Sequence, residues 1–124
     1  FKIDLANETH EIAIQVDEMK NPEKPFIPVA INGIAVHKEY LYWTNTSKAL
    51  FCRIKIRKDG KAAGDVEIIG RLEIAGVTAC QFDRKRGNEH MLYLVTNGGL
   101  GGPVNGSEVE GGKVSVIDTS SFKA

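Results

Sequence analysis

Nothing in this 124-residue sequence approaches the ~20 consecutive apolar residues that span a bilayer, so no membrane helix is expected. Charge of one sign is not in excess either. The 16 Lys and Arg balance the 16 Asp and Glu. A chain without a net field has nothing to draw it to nucleic acid or to a lipid surface. Cysteine is scarce: Cys52 and Cys80 lack C-x-x-C spacing and read as buried free thiols, with a disulfide as the alternative. His10, His37 and His90 fall at turns or strand ends without H-x-x-x-H spacing, and read as surface side chains rather than metal ligands or bases. No serine has a G-x-S-x-G context, which argues against a serine hydrolase of that kind. The Gly98–Gly102 run lacks the Lys-Ser/Thr and the strand–helix setting of a phosphate loop. No stretch carries the period of an amphipathic helix. An initiator Met and a signal-peptide pattern are also missing. The chain opens on Phe1-Lys2-Ile3-Asp4-Leu5, already alternating like a strand, so a segment of a longer protein is expected.

What is present is β-structure. The hydrophobic share of 42% suits one small domain with a modest core. Ile12, Ile14 and Val16 alternate with polar or small residues; Phe51–Ile56 does so with its charges facing out. Val66–Ile69 and Lys113–Asp118 are further short runs. Period two over four to six residues, bounded by Gly, Asn and Asp, marks half-buried strands. Turns are expected at Asn7–His10, Lys58-Asp59-Gly60 and Arg86-Gly87-Asn88. Asp17–Lys24 could form one helical turn, but Pro22, Pro25 and Pro28 prevent any longer helix, and Asp17–Pro28 reads as a loop. Gly98–Gly112 holds seven Gly and one Pro in fifteen residues and reads as a second loop, placed at an open end of the fold. Three sequons, at Asn7, Asn45 and Asn105, favour a secreted origin, although Asn45 lies in a strand-like run where a glycan is not expected.

The most informative feature is an internal repeat. Leu41-Tyr42-Trp43-Thr44-Asn45 returns as Leu92-Tyr93-Leu94-Val95-Thr96-Asn97, with 51 residues between Tyr42 and Tyr93. Each copy follows a short apolar strand, Gly33–His37 in the first and Thr78–Asp83 in the second, and each precedes an outer strand. Periods of about 40–50 residues with four strands per unit signal propeller blades. The expected fold is therefore all-β, a partial β-propeller of about two and a half four-stranded antiparallel blades. Its parts are an outer hairpin of a preceding blade (1–16), a full blade (32–70) and a last blade (77–118). Tyr42 and Trp43 are expected to pack between blades. A blade cannot cover both of its own faces, so the chain is expected to need missing blades or self-association.

The ordered combination Ile31-Asn32-Gly33-Ile34-Ala35-Val36, Tyr40-Leu41-Tyr42-Trp43-Thr44-Asn45-Thr46, Leu92-Tyr93 through Thr96-Asn97-Gly98-Gly99-Leu100, Pro103-Val104-Asn105-Gly106 and Glu110-Gly111-Gly112-Lys113-Val114 resembles the gluconolactonase and senescence-marker-protein (regucalcin) family, and most closely its fungal lactonase-like branch. The likeness covers nearly the whole chain and corresponds to the C-terminal blades of a six-bladed fold. It implies a metal-dependent lactone hydrolase that holds a divalent cation, often calcium, in a central channel. In that family the Asn of the Asn-Gly-Ile motif is a metal ligand, which transfers onto Asn32. A hard cation takes oxygen ligands, and an Asn carbonyl at the head of an innermost strand faces the channel. Asn32 shaping a turn with Gly33 is the plainer reading. The family also uses a Glu from an early blade and an Asp heading the inner strand after the Asn. Neither is matched here, and a blade is expected to be missing between about Gly70 and Ala75. Lone catalysis is therefore not expected, and no catalytic residue is assigned. Thr78 and Asn97, beside the Gly-rich loop, are candidates for contact with a small lactone or related metabolite. The alternatives are a non-hydrolytic propeller guiding a rearrangement or cyclisation, a non-catalytic binding propeller akin to the Y-W-T-D receptor blades, and a fragment without activity.

Overall fold

Tyr42–Asn45 is a run of aromatic and β-branched or small polar residues with no exposed member, the pattern of a strand covered on both faces. A computed structural model, which describes residues 1–21, 30–71, 76–98 and 111–122, places it at the centre of the molecule. The strands are β1 (Lys2–Asp4), β2 (Thr9–Glu11), β3 (Ile31–His37), β4 (Tyr40–Asn45), β5 (Leu50–Ile56), β6 (Ala62–Arg71), β7 (Val77–Phe82), β8 (Met91–Thr96) and β9 (Val114–Asp118). All pairing is antiparallel, in three sheets: β1-β2, β3-β4-β5-β6 and β7-β8-β9. No α-helix occurs among the described residues, and none there is long and apolar enough to cross a membrane. The protein is thus all-β.

The larger sheet buries both faces, and alternation decides which residue goes where. Tyr42, opposite Ala35 on β3, faces β7-β8-β9 and joins Phe51, Cys80, Phe82, Leu92 and Leu94 in one core. The Tyr42 ring meets Phe82 edge-on at 5.1 Å and stacks on Phe51 at 6.1 Å. Trp43, one residue on, points the other way and packs with Leu50, Cys52 and Ile54. Burying each such side chain stabilises the fold by about 1.5–3 kcal/mol. The two cysteines sit in different cores and are both free thiols.

Residues 12–16 correct an expectation. The alternating Ile12, Ile14 and Val16 do not form a paired strand. The chain instead lies across the Trp43 face of the larger sheet and presses Ile14 and Val16 into that core. Its carbonyls find other partners: Ile12 O accepts from Lys61 Nζ at 3.0 Å, and Val16 O from Met19 N at 3.0 Å. An apolar face reads alternate side chains whether or not the backbone joins a ladder. Asp17–Met19 forms a single 3₁₀ turn. The prolines expected to break the following segment lie outside the described residues, as do most of Gly98–Gly112 and the sequon at Asn105.

Arg53 is a second correction. The pattern places it outward, yet it is 3% exposed. Its Nε donates to Glu67 Oε2 at 2.7 Å on the neighbouring strand, and its guanidinium lies 4.3 Å from the Tyr40 ring centre and 5.3 Å from that of Phe122. A paired, ring-covered guanidinium tolerates this burial because its stem is apolar and its head is weakly hydrated.

Candidate functional site

The two sheets meet most tightly where β3 crosses β7. A Cβ added to Gly33 would lie 2.8 Å from Ala79 Cα and 2.9 Å from Cys80 N. Only a residue without a side chain permits that approach. Each of these strands carries one extra residue near its start. The pairing jumps between Ile31 and Ile34 on β3, and between Val77 and Ala79 on β7. Bulges of this kind re-aim the side chain they contain. Asn32 falls within the first jump and Thr78 within the second, each next to a residue of the Gly33–Ala79 contact. The two candidates named from the sequence therefore occupy equivalent places on adjoining strands.

Neighbouring polar groups hold this end of the molecule. Gly33 N donates to Thr44 Oγ1 at 3.0 Å, and Thr46 Oγ1 donates to Val77 O at 2.8 Å, tying the β4–β5 turn to the start of β7. Asn45 is fully buried; its Nδ2 donates to Glu18 O at 3.0 Å and Lys20 O at 2.9 Å, and its Oδ1 accepts from Lys48 N at 3.0 Å. A glycan on Asn45 is incompatible with this arrangement. Asn7, by contrast, sits in the exposed β1–β2 turn.

Asn97 is placed by backbone pairing rather than by a channel. Its N–H donates to Gly76 O at 3.0 Å, and its side chain packs over Gly76, whose φ of +76° excludes a Cβ there. In the first sheet the matching bond runs from Thr46 N to Ala30 O at 3.0 Å. Ile31 pairs with Asn45, as Val77 pairs with Thr96. Asn97 is thus the counterpart of Thr46, and Thr96 that of Asn45, the same 51-residue offset that separates Tyr42 from Tyr93. Thr78 Oγ1 donates to Val95 O at 3.3 Å, so its hydroxyl also serves its own sheet.

As a cation site the arrangement is sparse. Asn32 is exposed and offers one amide oxygen, its counterpart is a threonine, and no three His, Cys, Asp or Glu side chains converge among the described residues. Calcium takes six to eight oxygens, so these residues do not hold it by themselves.

At the opposite end of β3 a cleft of about 420 Å³ opens between the sheets, lined in part by His37, Tyr40, Arg53, His90, Thr119 and Phe122. His37 stacks on Phe82 at 4.6 Å. Burial, then Lys38, push its pKa below the ordinary histidine value, with His90 adding to the effect and Glu89 opposing it. His90 Nε2 lies 3.7 Å from Asp118 Oδ1. For Arg53, burial alone would lower the pKa, but hydrogen bonds to Tyr42 and Glu67 outweigh it and raise the value. Sequence reading missed this end, because Arg53 and Glu67 become neighbours only through the β5–β6 register.

No known family model matches this chain, and no curated protein matches it.

Proposed function

We propose that the two stacked sheets are adjoining blades of a β-propeller of the gluconolactonase-like kind, with residues 1–16 belonging to a preceding blade. In this reading the chain contributes one wall of a metal-dependent lactonase channel. Asn32 lends an oxygen to a divalent cation such as calcium, and Thr78 and Asn97 lie on the side where a small lactone enters. The observation that carries it is the meeting of two bulged strands at Gly33, which sets Asn32 and Thr78 at matching places beside one contact. Strands that head a stack of sheets and converge on one line are what a propeller axis requires.

The remaining oxygens have to come from further blades, so the chain alone is expected to leave lactones intact. A non-hydrolytic propeller is the second reading. It is favoured by Thr78, a neutral hydroxyl standing where a hydrolase of this kind would place a carboxylate.

The test is a titration of the isotope-labelled chain with calcium chloride, followed by nuclear magnetic resonance. Selective movement of the Asn32 side-chain amide and the Thr78 backbone, rising with cation without saturating at millimolar concentration and absent in Asn32→Ala, is the expected result for a site that lacks its other oxygens. Shifts confined to surface carboxylates such as Asp17 and Asp59 would refute the channel reading. Lactone added after the cation should move Thr78 and Asn97 under the hydrolase reading.

A further inference from the structure

Trp43 is the one tryptophan of the chain and is fully buried, yet its indole Nε1–H has no hydrogen-bond partner. Among the described residues it is the only buried side-chain nitrogen or oxygen in that position. A buried donor without an acceptor forfeits the bond it would make with water, so the closed arrangement is penalised at this atom. The cover over this side of the sheet is residues 14–19, whose Ile14, Val16 and Met19 press on the core of Trp43, Leu50, Cys52 and Ile54.

That cover is held by side chains rather than by a ladder. No residue from Ile12 to Lys20 is buried, and Ile12 is 54% exposed. Among the described residues no backbone hydrogen bond joins 12–20 to a strand; Met19 N and Lys20 N bond back to Val16 O and Asp17 O within the segment itself. The anchors at its far end are set deep. The fully buried Asn45 donates through Nδ2 to both Glu18 O and Lys20 O, and Lys48 Nζ donates to Asp17 O. The near end is held by Lys61, a partly exposed side chain whose Nζ donates to Ile12 O at 3.0 Å and pairs with Glu11 Oε2 at 3.2 Å. Between those two ends the segment meets the sheet through Ile14 and Val16.

We propose that residues 12–16 are a strap that swings off the Trp43 face while both sheets stay folded, hinged on the Asp17–Lys20 turn and latched by Lys61. Exposed lysine contacts are weak, and a segment without ladder bonds or fully buried side chains opens more readily than the sheet beneath it. Opening lets water reach the indole N–H, which lowers what closure gains at that atom. The apolar face around Trp43 is therefore a conditional surface, covered at rest and presented when the strap lifts. The strap depends on neither the cation nor the lactone of the proposed function.

Hydrogen exchange of the isotope-labelled chain, followed by nuclear magnetic resonance, tests it. The indole Nε1–H reports on the strap and the backbone amides of β4 report on the sheet, each corrected for its intrinsic rate. The indole proton should be less protected than the slowest β4 amides by about tenfold or more, with a rate that urea leaves level below the unfolding transition. Lys61→Ala should speed the indole exchange by about two- to tenfold, the loss expected of one exposed hydrogen bond, and leave the β4 amides level. Lys55→Ala removes an ion pair to Glu39, away from the strap, and should change neither. An indole proton as protected as the β4 amides, with their urea dependence, would overturn the proposal, since the cover then leaves only with the sheets. A Lys61→Ala chain in which the indole gains no more than the β4 amides would overturn the latch in the same way.

Discussion

Gly33→Ala should loosen the seam on which the two-sheet arrangement depends. The added methyl would sit 2.8 Å from Ala79 Cα, 2.9 Å from Cys80 N and 3.0 Å from Ala79 C, all main-chain atoms of β7. A flexible side chain could swing away; a strand held by β8 through its own ladder cannot. Overpacking of this kind costs about 1–3 kcal/mol. The backbone of Gly33 is not left-handed, so alanine gains about 0.4–1 kcal/mol from the stiffer unfolded chain, which offsets part of the loss. The net destabilisation is about 1–2 kcal/mol, a fall in melting temperature of roughly 4–8 °C for a domain of this size. Gly70→Ala is the control, since a Cβ there meets nothing within 4 Å and should leave stability level or slightly raised. Thermal unfolding followed by circular dichroism measures both. Equal melting temperatures for the two variants would refute the close approach of β3 to β7, and with it the pairing of Asn32 with Thr78.

Tyr42→Ala should cost about 3–5 kcal/mol in urea unfolding, as for other large buried rings, whereas Tyr93→Ala at the equivalent exposed position should cost under about 1 kcal/mol; similar losses would mean the two faces are equally covered. Burial pushes the Cys80 thiol up to about 11. A disulfide reagent at neutral pH should therefore label Cys80 only as fast as the chain opens, and prompt labelling in the folded protein would contradict its place in the core. Asp59 is held down at about 2, chiefly by the Arg57 side-chain hydrogen bond and then by Lys61 N–H. A depressed carboxyl contributes stability above its unfolded value of 3.8, lost as pH falls toward 2, so Asp59→Asn should flatten the urea midpoint across that window. His37 runs in the same direction for the opposite chemical reason. Its folded form resists protonation, the unfolded chain takes the proton first below pH 6.5, and stability declines there; His37→Gln should remove that slope.

Much of the secondary structure was legible because strands leave a local trace. Period two in Leu50–Ile56, aromatic and β-branched residues in Tyr40–Asn45, and Gly at Gly60 and Gly87, both left-handed, are all properties of neighbours in the chain. The repeat of Tyr42 at Tyr93 was likewise open to reading, and it set the expectation that sheets stack. The same local logic misplaced Ile12–Val16, where side chains alternate against a face without joining a ladder, and Arg53, whose pattern points outward.

Three things belonged to the tertiary structure alone. The partners of Arg53 come from β6, from the ring of Tyr40 and from Phe122, nearly seventy residues downstream. The need for glycine at position 33 is set by β7, which the sequence places more than forty residues away. The backbone bonds that hold Thr46 and Asn97 in equivalent places run to carbonyls at Ala30 and Gly76, and such register is a relation between strands. Composition and period determine which residues can be strands and which of their sides are apolar, because both act between neighbours. Which apolar side meets which is decided only when strands distant in sequence pair, and here that pairing covers Tyr42 and leaves Tyr93 open.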